Sequence, residues 1–161
     1  MRAAAASNSE ALLGPFRSAG VFDSCLDGMM VDAVASHGVQ CRLLVTRARA
    51  NNFGTLHGGC IATLVDVVGT LALLGHNPCR PGVSVEMNQS FLAAAKVDEV
   101  LNVQGRVLRY GRTLGFTEVT IRAVAGDMES TAALRGEEGR LVAIGRHTKY
   151  MDLKPPPPGS S

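Results

Sequence analysis

Between Cys60 and Leu74 apolar residues fill almost every position, relieved only by Thr63, Asp66, Gly69 and Thr70. A run from about His57 to Leu74 is too long for an ordinary strand. Its Leu, Ala and Ile content predicts a helix of about 25 Å at about 1.5 Å per residue. Because it is apolar nearly all round, the helix is expected to be wrapped by other elements. Downstream the period changes. Val83 to Ser90 alternates apolar and polar side chains, as a half-buried strand does. Val100 to Arg109 and Leu114 to Val124 predict further strands, joined through a hairpin at Tyr110-Gly111-Arg112, and Leu141 to Thr148 predicts a last one. Alternation slips between Phe116 and Val119, which predicts a β-bulge or burial on both sides. Upstream, Cys41 to Arg47 has strand composition behind a turn at Ser36-His37-Gly38. A short helix is expected from about Ser9 to Phe16, ended near Gly14-Pro15.

One buried helix followed by four antiparallel strands, with at least one strand before it, is an α+β arrangement. Such a sheet leaves an open edge, and a second copy of the chain is the simplest cover, so a homodimer is expected at minimum. The chain divides into residues 1–8, expected to be disordered, one domain over 9–152, and a disordered proline-rich tail over 153–161. The segment from about Gly126 to Gly139, rich in Gly and Glu, reads as the loop joining the last two strands.

At 161 residues the chain suits one domain with a real core. Its net charge of +2, its 4% aromatic content and the lack of a concentrated basic patch argue against nucleic acid as partner. Cys25, Cys41, Cys60 and Cys79 have no metal-type spacing and are expected reduced, which suits an intracellular protein. The apolar run, interrupted by Asp66, makes a poor membrane span. With no secretory h-region evident, the cytoplasm is the expected location, with mitochondrion or plastid as alternatives.

The chemistry concentrates around one acid. Asp66 is the single formal charge between Arg49 and Arg80. A carboxylate among aliphatic side chains is costly unless it is paired or lines a wet cleft. It is the candidate to activate water or to attack a carbonyl itself. The plainer alternative is a carboxylate capping a strand or held at a subunit contact. Burial is expected to raise its pKa while nearby donors oppose the shift. Gly58 stands at the helix start, where unsatisfied backbone N–H groups and partial positive charge suit an oxyanion. Gly59 reads as a packing position. Ser84 lacks a Gly-x-Ser-x-Gly elbow and is not expected to be a nucleophile.

Asn51-Asn52-Phe53-Gly54-Thr55-Leu56-His57-Gly58-Gly59, Ala62-Thr63-Leu64-Val65-Asp66, Pro81-Gly82-Val83-Ser84-Val85-Glu86-Met87-Asn88 and Gly145-Arg146-His147-Thr148-Lys149 together resemble the hotdog-fold acyl-CoA thioesterases. The resemblance runs from about Val31 to Met151. It implies a long helix wrapped by a curved antiparallel sheet, dimers that share one continuous sheet and often double to a homotetramer, and active sites at the dimer seam. It implies that Asn51, His57 and Gly58 of one subunit face Asp66 and Ser84 of the other. Asp66 would then activate water, Ser84 orient it, Gly58 N–H bind the thioester oxygen, and Asn51 and His57 shape that hole. The substrate implied is an acyl-CoA, fatty acyl first and aromatic acyl second, with no metal or organic cofactor. A non-catalytic acyl-CoA-binding protein is the remaining alternative.

For the phosphates of CoA the candidate cations are Lys96, Arg109, Arg112, Arg146, His147 and Lys149, each by default a solvated surface charge. Arg109-Tyr110-Gly111-Arg112-Thr113-Leu114 matches the family's CoA-facing turn, and Phe91 and Leu92 either contact the pantetheine arm or belong to the core. Two departures stand out: Asp127 to Glu138 is longer than the family usually has, and Ala94 stands where it often places proline.

Overall fold

In the computed structural model, residues 22–124, 127–129 and 139–152 are described. The expectations for residues 1–8, Ser9 to Phe16 and 153–161 lie outside them, as does most of the loop from 126 to 139. Strands β1 (Met30–Ala35), β2 (Gly38–Leu44), β3 (Val83–Phe91), β4 (Val100–Tyr110), β5 (Leu114–Val124) and β6 (Arg140–Tyr150) form one sheet in the order β1-β2-β4-β5-β6-β3. Every pairing is antiparallel. Helix α1 (Gly58–His76) lies across its inner face. This is the expected α+β architecture, with two strands before the helix.

The strand expected from Cys41 runs earlier. It starts at Gly38, straight after the turn, and ends at Leu44; Arg47–Arg49 is a short 3-10 turn instead. The β-bulge also sits one strand away from its expected place. β5 alternates without a break, sending Gly115, Thr117, Val119, Ile121 and Ala123 to the core. The register shift falls opposite, between Val107 and Arg109 of β4, where Leu108 is the extra residue. Phe116 therefore belongs to the outer face, where it is half-buried beside the β4–β5 turn.

Helix α1 sinks deeply because strand residues beneath it lack side chains. A Cβ on Gly145 of β6 would lie 2.5 Å from Cγ2 of Val65, closer than any real contact. Thirteen of the nineteen helix positions are buried, which explains its all-round apolarity. By length and hydropathy the helix is apolar enough to cross a membrane, yet the sheet buries 72% of its most apolar window. A narrow stripe stays open: Gly58, Ala62 and Asp66, spaced i, i+4 and i+8 along one face. The wrapping expected all round is therefore incomplete.

β3 departs most from its pattern. Alternation predicts a half-buried strand, but almost the whole strand is exposed in the protomer, with Val83 at 52%, Val85 at 55% and Phe91 at 57%. It pairs only with β6 and forms a sheet edge. At the other end, the Arg42 guanidinium is buried against the Asp32 carboxylate at 2.7 Å and donates to the Met128 carbonyl. That ties the start of the long β5–β6 connection to the outer face, where Met128 packs on Val100 and Val124.

Candidate active site

The glycine-rich segment before α1 is built by its own side chains. Asn51 Oδ1 accepts from the backbone N–H groups of Phe53 (2.9 Å) and Thr55 (3.2 Å), and Nδ2 donates to Thr55 Oγ1 at 3.0 Å. One Nδ2 hydrogen remains for a ligand. Gly54 turns the chain with φ +73°. His57 is the N-cap, and its Nδ1 accepts the N–H of Gly59 at 2.9 Å. That bond places the proton of the neutral ring on Nε2. It also satisfies the Gly59 donor and leaves Gly58 N–H as the donor at the open mouth. The Phe91 ring packs over Gly58. Asn51, Leu56, Gly58, Ile61 and Phe91 to Ala94 line a cleft of about 380 Å³, near the small end for ligand sites. Cys60, one step inside, is no nucleophile: burial pushes its thiol up to about 12.

A second cluster forms two turns further along the helix. The Asp66 carboxylate is 48% exposed, not enclosed as its apolar neighbours suggest, because it lies on the open stripe. Its Oδ1 lies 3.5 Å from Ser84 Oγ of β3 and 3.6 Å from His147 Nε2 of β6. His147 Nε2 is 2.8 Å from Ser84 Oγ, and its Nδ1 is buried without a partner among the described residues. A buried orphan N–H is rarer than a buried orphan lone pair, so the neutral ring carries its proton on Nε2. The resulting chain runs His147 Nε2–H to Ser84 Oγ, then Ser84 O–H to Asp66 Oδ1. Burial holds the His147 imidazole below the ordinary histidine value. Asp66 and Glu86 oppose that fall and Lys149 adds to it.

His147 and Lys149, expected at the phosphate end, therefore sit elsewhere. Both point inward from β6 and are buried, at 1% and 6% exposure. Lys149 Nζ donates to Thr70 Oγ1 at 2.7 Å, and Thr70 Oγ1 donates to the Asp66 carbonyl at 2.8 Å. The signal was present in the sequence: His147 and Lys149 are two apart and so share a strand face. Which face turned inward needed the helix to be in place.

The remaining cations are exposed. Arg146 faces outward beside Glu118 at 3.4 Å, which Arg106 also approaches at 2.9 Å. Lys96 is exposed behind the Asn51 segment, bridged to Thr55. Arg109, Gly111, Arg112 and Thr113 line a shallow cleft at the β4–β5 turn. The Tyr110 ring is not part of that cleft; its centroid lies 4.1 Å from that of His76 and 5.8 Å from the Arg80 guanidinium. Arg80, unnoticed in the sequence, donates to the Arg112 and Met151 carbonyls and so fixes the turn. Leu92 is 54% exposed beside Phe91 at the end of β3. Among the described residues no group of His, Cys, Asp or Glu is placed to hold a metal ion.

The family description "Thioesterase superfamily" matches residues 53–129. Human acyl-coenzyme A thioesterase 13 is 38% identical over 130 residues, covering 81% of this chain and 84% of that protein. The crystal structure of zebrafish thioesterase superfamily member 2 superposes with a TM-score of 0.77 at 34% identity, over 90% of this chain and 96% of that one. A hypothetical thioesterase from Streptococcus pneumoniae TIGR4, solved with coenzyme A, shares the fold with a TM-score of 0.68 at 24% identity, over 80% and 88%.

Proposed function

The chain belongs to the acyl-CoA thioesterases of the thioesterase superfamily, with their hotdog fold, and on that footing we propose that it hydrolyses an acyl-CoA to a free acid and CoA at sites shared between two copies. The observation that carries the sharing is a separation. Gly58 and Asp66 stand eight residues apart on one helix, about 12 Å at about 1.5 Å per residue. A thioester carbon must lie about 3 Å from both the attacking water and its surroundings, so one protomer cannot supply both groups to it. A second copy laid antiparallel along β3 would cover that apolar edge and bring its own Gly58 toward Asp66.

In this reading Gly58 N–H receives the thioester oxygen, with the free Nδ2 hydrogen of Asn51 and the Nε2–H of His57 beside it. From the partner, Asp66 Oδ2 takes a proton from water, since Oδ1 already accepts from Ser84. Ser84 Oγ steadies the same water. The water oxygen attacks the carbonyl carbon, and charge builds on the oxygen held by the helix start. Collapse breaks the C–S bond, and the proton on Asp66 passes to the departing thiolate. The acyl chain enters the cleft of Leu56, Ile61, Phe91 and Leu92, an apolar lining of three aliphatic side chains and one ring that suits a fatty acyl group. Arg109 and Arg112 at the β4–β5 turn, with Lys96, are the exposed cations for the CoA phosphates. The cytoplasm is the proposed location and the homodimer the minimal unit, which a homotetramer would double.

The test is thiol release from fatty acyl-CoAs of graded length and from aromatic thioesters, with Asp66→Asn and Asn51→Ala as variants. Each variant is expected to lose about 100-fold or more in turnover. Mixing the two should restore part of the activity through hybrid dimers. No thiol release by the wild type, or no recovery after verified subunit exchange, overturns the hydrolytic and the shared-site readings respectively.

A further inference from the structure

Lys149 presents a problem that the reaction as described leaves open. A lysine ammonium is costly to bury, and this one sits 6% exposed beneath α1 with a hydroxyl, not a carboxylate, as its hydrogen-bond partner. Its surroundings narrow what it can do. Pointing inward, it cannot reach a phosphate at the molecular surface. Its anchor, Thr70, hangs from the Asp66 carbonyl one helical turn away. On its own strand it shares the inner face with His147, two residues back and about 6.6 Å away.

The groups that face His147 are Asp66 on α1, Glu86 on β3 and Lys149 on β6, and Asp23 of the Phe22–Leu26 turn lies within the field of Asp66. All but Lys149 are acids. Beside a carboxylate at 3.6 Å an imidazole tends to take up a proton and form an ion pair. An imidazolium bound to Asp66 would tie up the base and turn a second N–H into a buried orphan at Nδ1, where Gly69 leaves no room for a partner: a Cβ there would lie 3.2 Å away. We propose that Lys149 is a positioning residue: its buried ammonium, anchored on Thr70, adds to burial in keeping His147 a neutral imidazole against the pull of Asp66, so that Nε2–H steadies Ser84 while Asp66 stays free to accept a proton from water. The role in turnover rests on the thioesterase reading; the effect on His147 does not.

The experiment compares wild type with Lys149→Met by NMR titration of the four histidines, His147 being assigned through its loss in His147→Gln. At an effective dielectric of about 20, removing a unit charge roughly 10 Å away should raise the His147 midpoint by about one pH unit. The acid limb of kcat/KM should move up by the same amount, while KM and inhibition by free CoA stay within about twofold. Methionine is apolar and of similar length, so the core should accept it; Lys149→Gln replaces it if that variant does not fold. An unmoved His147 midpoint overturns the proposal. So does a KM raised tenfold with an unmoved acid limb, which would make Lys149 a CoA ligand. A moved midpoint without a moved acid limb overturns its part in turnover. If the wild type releases no thiol from any acyl-CoA, the functional reading fails while the His147 midpoint still decides whether Lys149 holds the ring neutral.

Discussion

Gly69→Ala separates the stability of this fold from the geometry of its site. Gly69 faces the sheet where α1 passes closest to β5 and β6. A Cβ there would lie 2.8 Å from Thr117 Oγ1, 3.2 Å from His147 Nδ1 and 3.4 Å from His147 Cβ. The methyl improves helix propensity by about 1 kcal/mol. Against that, overfilling a packed core costs about 1–3 kcal/mol, since neither neighbour is the end of a flexible chain. The net loss should be about 0–2 kcal/mol, only a few degrees in Tm. Catalysis should suffer far more. Thr117 Oγ1 donates to the His147 carbonyl at 3.2 Å, so pushing either residue moves the ring that holds Ser84. A displacement of about 1 Å at a reacting constellation costs about 100-fold in rate. The assay pairs urea unfolding with thiol release. Gly75→Ala is the control: its Cβ meets the Ala35 carbonyl and Val34 at 2.9 Å, an equal clash at the far end of the same helix. It should lose stability and keep its specific activity. If Gly69→Ala instead works within about twofold of wild type, the His147–Ser84–Asp66 chain does not set the rate.

Two further outcomes follow from the same geometry. Replacing Val85 and Met87 on the exposed β3 edge together by lysine should raise the dimer dissociation constant by at least about 100-fold, or about 2.7 kcal/mol, read by sedimentation. Thiol release should fall with the dimer fraction, and a fully active monomer would refute the shared site. Stability should fall on acidification in two stages. His147 is held by burial below its ordinary value of 6.5, so between that value and its folded value the unfolded chain binds more protons, and Tm drops as the pH falls through this window. Glu99 also lies below its ordinary 4.5, through hydrogen bonds from Arg140 and from the Lys96 N–H that outweigh its burial, so its contribution is lost below about that pH. A His147→Gln variant should flatten only the first stage in a thermal scan across pH 4–8; an equal slope in both proteins would refute the assignment.

Much of this was legible in the chain because burial leaves a periodic trace. The all-round apolarity of 60–74 required a covered helix, and the covering sheet is there. The period of two over 83–90 correctly identified β3 as a strand. It misjudged exposure: alternation marks which positions share a face, and this edge strand is exposed at nearly every position. The segment 51–59 gave away the helix start through its glycines and histidine. By contrast, the inward direction of His147 and Lys149 was hidden. A charged residue on a strand reads as solvent-facing, and only the depth to which α1 sinks, through Gly69 and Gly145, turns those two side chains into the core.

That depth explains why the polar cluster persists in an apolar interior. Burying His147 and Lys149 costs stability, and replacing them by well-packed apolar residues should make the protomer firmer. The arrangement makes sense only if their effect is felt elsewhere. It is felt at Asp66, which lies on the open stripe, whose backbone carbonyl is held by Thr70 and whose Oδ1 meets Ser84. Inside one protomer that stripe leads nowhere, because the nearest glycine-lined mouth lies about 12 Å along the same helix. The charge, the hydroxyl and the imidazole thus stand at an open stripe, and under the shared-site proposal a second copy along β3 would give the arrangement a use.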